Sequence, residues 1–300
     1  MRITDNMMTK SYLKNLARNQ QNVQKYHHQL SSMKEVSKSS DNPLLVSQII
    51  GLKENVSSNQ QYRSTIKDAI DWSNMQDASL GKATDSLMRI STLVQSAATD
   101  TMNASDRLIV KAEIETEIQT FVDALNTNYG GRYIFAGTET LKTPFEMSQD
   151  ADGALTGITY NGISQSMSRE ISPGVTVDLL TNGAGILNGN GQSLGALFKE
   201  VVSALKNDDT KAVATTVEKV TTAIDHVVSF RTEIGAVSNR LGSALSRNES
   251  QDLNLREMLS SKEDIDFAKK YMQFSNEQVA YQASLQMGTK ILNTTILDYL

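Results

Sequence analysis

Proline occurs only three times in the 300-residue chain, at Pro43, Pro144 and Pro173. Inside a helix, proline loses a backbone donor and clashes with the preceding turn. The stretches 1–42, 44–143 and 174–300 are therefore open to very long helices. The apolar residues follow helical spacing. Tyr12, Leu16, Asn19, Val23, Tyr26, Leu30 and Met33 alternate steps of four and three. That is the spacing of a coiled-coil seam, with Asn19 as a polar member of the kind that fixes register. Ser40-Asp41-Asn42-Pro43 reads as a helix start, with Asn42 at the N-cap and Pro43 at the first helical position. From there Leu45, Ile49, Leu52, Val56, Ile66, Ile70, Leu80, Leu87, Val94 and Ala98 share one lattice, interrupted at Asn59, Arg63, Ser73, Asp77, Thr84 and Ser91. Such a helix is about 80 Å long at 1.5 Å per residue. A further helix is expected from near Ser105 to Asn128, carried by Ile114, Ile118, Phe121 and Leu125. The lattice returns with Val213, Val217, Val220, Ile224, Val227, Ile234, Leu241, Leu245, Leu255 and Leu259. Its polar members are Arg231, Ser238, Asn248 and Asp252, and an amphipathic segment over 265–300 closes the chain.

Between these runs, residues 130–191 are dense in glycine and carry short period-two stretches, "GITYNG" and "PGVTVDLL", which read as strands bounded by turns. The segment "GRYIFAG" opens this insert. Gly130 and Gly131 are expected to stop the preceding helix in the left-handed cap conformation. The run 132–137 then alternates, with Tyr133 and Phe135 on one face and Ile134 and Ala136 on the other. Phe135 is expected to be buried. The fold class is thus mainly α: long N- and C-terminal helices packed as a coiled-coil-like rod, with a small β-rich inserted domain. The expected divisions are an N-terminal amphipathic helix (1–42), a helical half (43–129), the insert (130–191), a second helical half (192–259) and a C-terminal amphipathic helix (260–300). Both ends carry apolar stripes that a lone subunit does not cover. Leu285, Leu292, Ile296 and Tyr299 form the C-terminal one, expected to pack on Leu16, Val23 and Leu30 of the same or a neighbouring subunit.

The chain offers little chemistry. It has no cysteine, which excludes disulfides and thiolate sites. Its net charge of −5 gives no reason to expect a nucleic-acid partner. Arg2, Lys10, Lys14, Arg18, Lys25, Lys34 and Lys38 make the first 40 residues locally basic, which fits a solvated face or one that meets an acidic partner, and also an arm for acidic lipid or nucleic acid. No apolar run is long enough to insert in a membrane, and the N-terminal residues lack the apolar stretch of a cleavable signal peptide. His27 and His28 are adjacent on a helix and cannot face one ion together. "GAGILNGNG" lacks the third glycine of a dinucleotide loop, and "GISQS" lacks the closing glycine of a nucleophile elbow. Trp72, the one tryptophan, is expected to anchor a packing seam. No catalytic constellation, cofactor site or metal site is legible.

The start "MRITDNMM", the stretch "QLSSMKEVSKSSDNPLLVSQI" and the ending "NEQVAYQASLQMGTKILNTTILDYL" resemble the bacterial flagellin family. Met33 stands where that family commonly has glycine, so the turn before Lys34 is expected to be tighter or more helical. "GRYIFAGTET" resembles the signature of the family's hook–filament junction members rather than its filament flagellins. Gly131, Arg132, Tyr133, Phe135 and Gly137 are its structural residues here. "GITYNG…SREISPGVTVDLLTNG" and "FRTEIGAVSNRL" resemble further stretches of the same members. The resemblance implies a structural, non-enzymatic component of the flagellum, outside the cell and exported without a cleaved signal peptide. It implies self-association in a ring, contacts with another hook-associated protein and with flagellin, and an export chaperone on the C-terminal region. A minor filament flagellin is the alternative within the family. Heptads alone also fit a cytosolic coiled-coil scaffold or signalling protein.

Overall fold

The computed structural model describes residues 2–99, 102–149, 155–189 and 192–292, with the side chains of 2–6, 192 and 290–292 outside the description. The elements run α1 (Arg2–Ser32), α2 (Pro43–Ala97), α3 (Ala104–Leu125), β1 (Asn128–Tyr129), β2 (Arg132–Tyr133), β3 (Phe145–Gln149), β4 (Leu155–Tyr160), β5 (Ser168–Ser172), β6 (Val175–Asp178), α4 (Ala184–Leu187), β7 (Asn188–Gly189), β8 (Gln192–Ser193), α5 (Leu194–Lys206), α6 (Thr210–Glu263) and α7 (Phe267–Leu292). The chain divides into two compact units, one of residues 1–58 and 250–300, the other of 59–249.

The long helices start where the cap residues place them. Asn42 accepts the Leu45 N–H at 3.1 Å through Oδ1, and α2 begins at Pro43. Asp209 caps α6 through the Ala212 N–H at 3.0 Å, and Asp266 caps α7 through the Lys269 N–H at 3.1 Å. Each cap satisfies a donor that the first turn would otherwise leave open.

Within unit 59–249, α2 and α6 pair through the polar members of their lattices. Asn59 and Asn248, both buried, exchange amide hydrogen bonds, each Nδ2 donating to the other's backbone carbonyl at 3.0 Å. Arg231 forks onto Asp77, and Arg63 reaches Glu249 at 3.0 Å. These pairs sit where apolar residues would allow the helices to slide, so they set the antiparallel register. Between them pack Ile66, Leu80, Leu87 and Ile90 of α2, Ile114, Ile118 and Leu125 of α3, and Val213, Val220, Val227, Ile234 and Leu241 of α6. Phe121 of α3 meets Phe198 of α5 edge to face at 5.6 Å. Trp72 is buried and meets Tyr129 in the same manner at 6.1 Å.

Among the described residues the β region is four separate two-stranded antiparallel ladders: β1–β2, β3–β4, β5–β6 and β7–β8. Two expectations are corrected here. Gly130 and Gly131 do not cap a helix. The helix ends at Leu125, and the glycines, at φ +58 and +81, form the two-residue turn between Tyr129 and its partner Arg132. Both central residues of such a hairpin turn need positive φ. The alternation across 132–137 is absent as well: Ile134, Phe135 and Ala136 are all fully buried, because the strand stops at Tyr133 and the chain enters the core. Residues 184–189 form α4 and β7.

Candidate functional site

In unit 1–58 and 250–300, α1 packs against α7. The buried side of α1 is the lattice of Tyr12, Leu16, Asn19, Val23, Tyr26 and Leu30, all half-buried, while Met33 is exposed. The facing side of α7 is Lys270, Phe274, Glu277, Tyr281, Ser284 and Gly288, also in steps of four and three. Asn19 donates to Ser284 Oγ at 3.0 Å, and the Tyr12 hydroxyl donates to the Ser284 carbonyl at 2.7 Å. Phe274 lies 6.2 Å from the His27 ring, and Lys270 Nζ stands 5.7 Å from the centre of Tyr26. Gly288 leaves room for Tyr12, since a Cβ there would lie 2.0 Å from the Tyr12 hydroxyl. Aliphatic residues were the guide to the C-terminal stripe. The seam that α7 turns to α1 is made of lysine, glutamate, serine and glycine as much as of aromatics.

The candidate residues fall as follows. Leu16, Val23 and Leu30 lie on the half-buried side of α1. Leu285 sits one position beyond the Ser284 seam and is 44% exposed. Leu292 ends α7, with its side chain outside the described residues; Ile296 and Tyr299 lie outside them altogether.

A clasp joins the connections at the base of this pair. The Glu35 N–H donates to the Glu263 carbonyl at 2.7 Å, and the Ile265 N–H to the Met33 carbonyl at 3.3 Å. Lys34 pairs with Asp264 at 2.8 Å, Lys53 with Glu263 at 2.8 Å and Lys270 with Glu35 at 2.8 Å. Met33 takes a left-handed conformation, φ +57, to end α1, where a glycine would carry no steric penalty. Hydrogen bonds from Lys34 and then Ser260 hold the Asp264 carboxyl below its ordinary range, and Asp264 in turn raises the Lys34 ammonium. The Asp264 contribution is present above its unfolded-state pKa and fades as pH falls through the folded one. That of Lys34 is present below its unfolded-state pKa and fades as pH rises through the folded one. Both groups are exposed, so each contribution is small.

The second constellation is the signature segment in unit 59–249. Phe135 is fully buried, and its carbonyl accepts the Gly183 N–H at 3.1 Å and the Tyr160 hydroxyl at 3.0 Å. Burial pushes the Tyr160 phenol up. The Gly137 N–H donates to Thr181 and the Ile163 N–H to the Ala136 carbonyl, while Gln76 of α2 reaches the Leu180 carbonyl at 3.3 Å. Gly137 is required in this knot: its φ is +69, and a Cβ would lie 1.9 Å from the Ile163 carbonyl oxygen. Gly131, also at positive φ, has open space around it. Tyr133 is half-buried and Arg132 exposed. The knot fastens the β region to α2 and involves no group poised for chemistry. Tyr160→Phe is expected to lower stability by about 1–3 kcal/mol, because the Phe135 and Ile163 carbonyls and the Gly183 N–H all lose their contact with the hydroxyl. Urea denaturation of the full chain measures it.

The family model described as the bacterial flagellin N-terminal helical region matches residues 3–140, and that of the C-terminal helical region matches 217–300. Flagellar hook-associated protein 3 of Escherichia coli is 25% identical over 99% of this chain and 99% of its own length. A flagellin of Bacillus subtilis is 27% identical over 96% of this chain and 95% of its own. Among solved structures, flagellar hook-associated protein 3 of Legionella pneumophila superposes with a TM-score of 0.61 at 14% identity, covering 71% of this chain and 98% of that one.

Proposed function

The chain belongs to the bacterial flagellin family, and we propose that it is a structural axial component of the flagellum, the adaptor that joins hook to filament. The observation that carries this reading is the distribution of apolar surface. Among the described residues, Ile49 is the one buried hydrophobic side chain in unit 1–58 and 250–300, while the core of the other unit is large. Of the 22 exposed large hydrophobics among the described residues, 14 fall in this core-poor unit, among them Met7, Leu13, Phe267, Met272, Val279 and Met287. A unit built this way gains most of its stability from neighbours, since each large side chain withdrawn from water contributes roughly 1.5–3 kcal/mol. The paired end helices are the assembly surface, and the well-packed unit is the part that folds alone.

In this reading the subunits associate in a ring between another hook-associated protein and flagellin. The chain leaves the cell through the flagellar export apparatus without a cleaved signal peptide. Before export a chaperone covers the C-terminal helix, whose exposed apolar side chains would otherwise associate. The role is structural rather than catalytic.

Deletion of the gene tests the proposal. The expected phenotype is intact hooks without filaments, with flagellin lost to the medium; normal filaments on normal hooks would sink the reading. The full-length likeness to a Bacillus flagellin supports a minor filament subunit as the second reading. Labelled protein confined to the hook end of the filament favours the adaptor, and label along the filament favours the flagellin. A dilute monomer is expected to exchange the amide hydrogens of residues 1–38 and 265–300 much faster than those of 59–249. Equal protection throughout would mean that the end helices need no neighbours.

A further inference from the structure

Packing accounts for Ile134, Phe135, Ala136 and Gly137 in the signature, but not for Arg132, whose side chain is exposed. Arg132 lines a cleft of about 240 Å³ together with Asp68, Trp72, Tyr129 and Arg169, all within the 59–249 unit. Neither guanidinium has an ion pair or a hydrogen bond among the described residues, although acidic side chains are common on this chain. Trp72 lines the same cleft and is only 6% exposed. Two guanidinium forks without a partner among the described residues stand at one cleft, opposed by the single carboxylate of Asp68. The space is large enough for one or two side chains.

We propose that this cleft is a docking site for an acidic loop of an adjoining protein subunit, with a glutamate or aspartate carboxylate held by Arg132 and Arg169. A planar carboxylate suits the guanidinium fork, which binds it through two parallel hydrogen bonds. The adjoining subunit as occupant rests on the axial-assembly reading. The cleft itself does not, and can be tested on the isolated chain.

Trp72 is the only tryptophan, so its emission reports on the cleft alone. The probe is a capped peptide, Ala-Glu-Ala-Glu-Ala, with its glutamine counterpart and inorganic phosphate as controls. The peptide is expected to give a saturable change in Trp72 emission and the glutamine counterpart none. Arg132→Gln and Arg169→Gln should each weaken binding about tenfold, and Arg132→Lys should recover only part of the loss, since a point charge lacks the fork. Calorimetry detects binding that leaves emission unchanged, and urea denaturation verifies that the variants are folded. No saturable binding by either method, or equal binding by the glutamine peptide or the arginine variants, overturns the proposal. Phosphate saturating the cleft at lower concentration than the peptide marks a simple anion pocket and also overturns it. Neither of those results bears on hook–filament joining, which the deletion phenotype decides separately.

Discussion

Gly137→Ala is expected to destabilise the 59–249 unit by about 3–5 kcal/mol, from overpacking and left-handed strain together. For a domain of this size that lowers the melting temperature by roughly 10 °C. The added methyl meets a backbone oxygen rather than the end of a flexible side chain, so rotamer changes cannot relieve it. Either the 163–165 segment moves away, losing the bond from Ile163 to Ala136, or residue 137 moves and loses its bond to Thr181. Gly131→Ala is the control. It shares the positive φ but has nothing within 4 Å of the new Cβ, so only the conformational cost of about 1–2 kcal/mol remains. Phe135→Ala should match the larger effect, at about 3–5 kcal/mol, because it empties a fully buried aromatic site. Thermal or urea denaturation of the three variants separates the cases. Equal effects at 137 and 131 would mean that the glycine in the signature serves only its backbone conformation.

Which parts of this architecture could be read from the sequence follows from which interactions repeat. The helices from Pro43 and through Val213 announce themselves because one apolar lattice runs their whole length and cap residues mark where they start. Asn59 and Asn248 stand out as polar members of two lattices, but that they face each other depends on the antiparallel register, which periodicity does not carry. The break between α5 and α6 is similar. Asp209 is a visible cap, yet Asp208 sits at φ +54 beside Arg107, a partner 101 residues away in the chain. The signature segment misleads for a different reason. Gly-Gly serves equally as a helix stop or a hairpin turn, and the choice is made by Asn126 and Thr127. Asn126 closes α3 and bonds both ways with Phe145, and the Thr127 carbonyl accepts the Ile134 N–H at 3.3 Å. The α7 seam stayed hidden because Lys270, Glu277, Ser284 and Gly288 look like a solvated face until Tyr12, Asn19, Tyr26 and Glu35 are brought opposite.

That displaced seam changes what a substitution on α7 should do. Since α1 takes up the Ser284 side of the helix, Tyr271, Met272, Val279 and Leu285 are left exposed in the lone chain. Leu285→Asp therefore removes no contact of a buried residue, and the monomer is expected to keep its circular dichroism spectrum and its melting temperature. In an assembled ring the same position would be withdrawn from water. An aspartate there must either be buried without a partner, which costs several kcal/mol, or hold the contact open. In the proposed ring several copies would multiply that cost, so the expected result is loss of hook–filament joining and of motility from a protein that purifies normally. Leu292→Asp is the companion variant at the end of α7. A Tyr12→Phe variant gives the contrast: it removes the bond to Ser284 inside the helix pair and should weaken the monomer's α1–α7 pairing before it affects assembly. If Leu285→Asp still joins filaments to hooks, the exposed face of α7 is not an assembly surface. The apolar residues there would then need another partner.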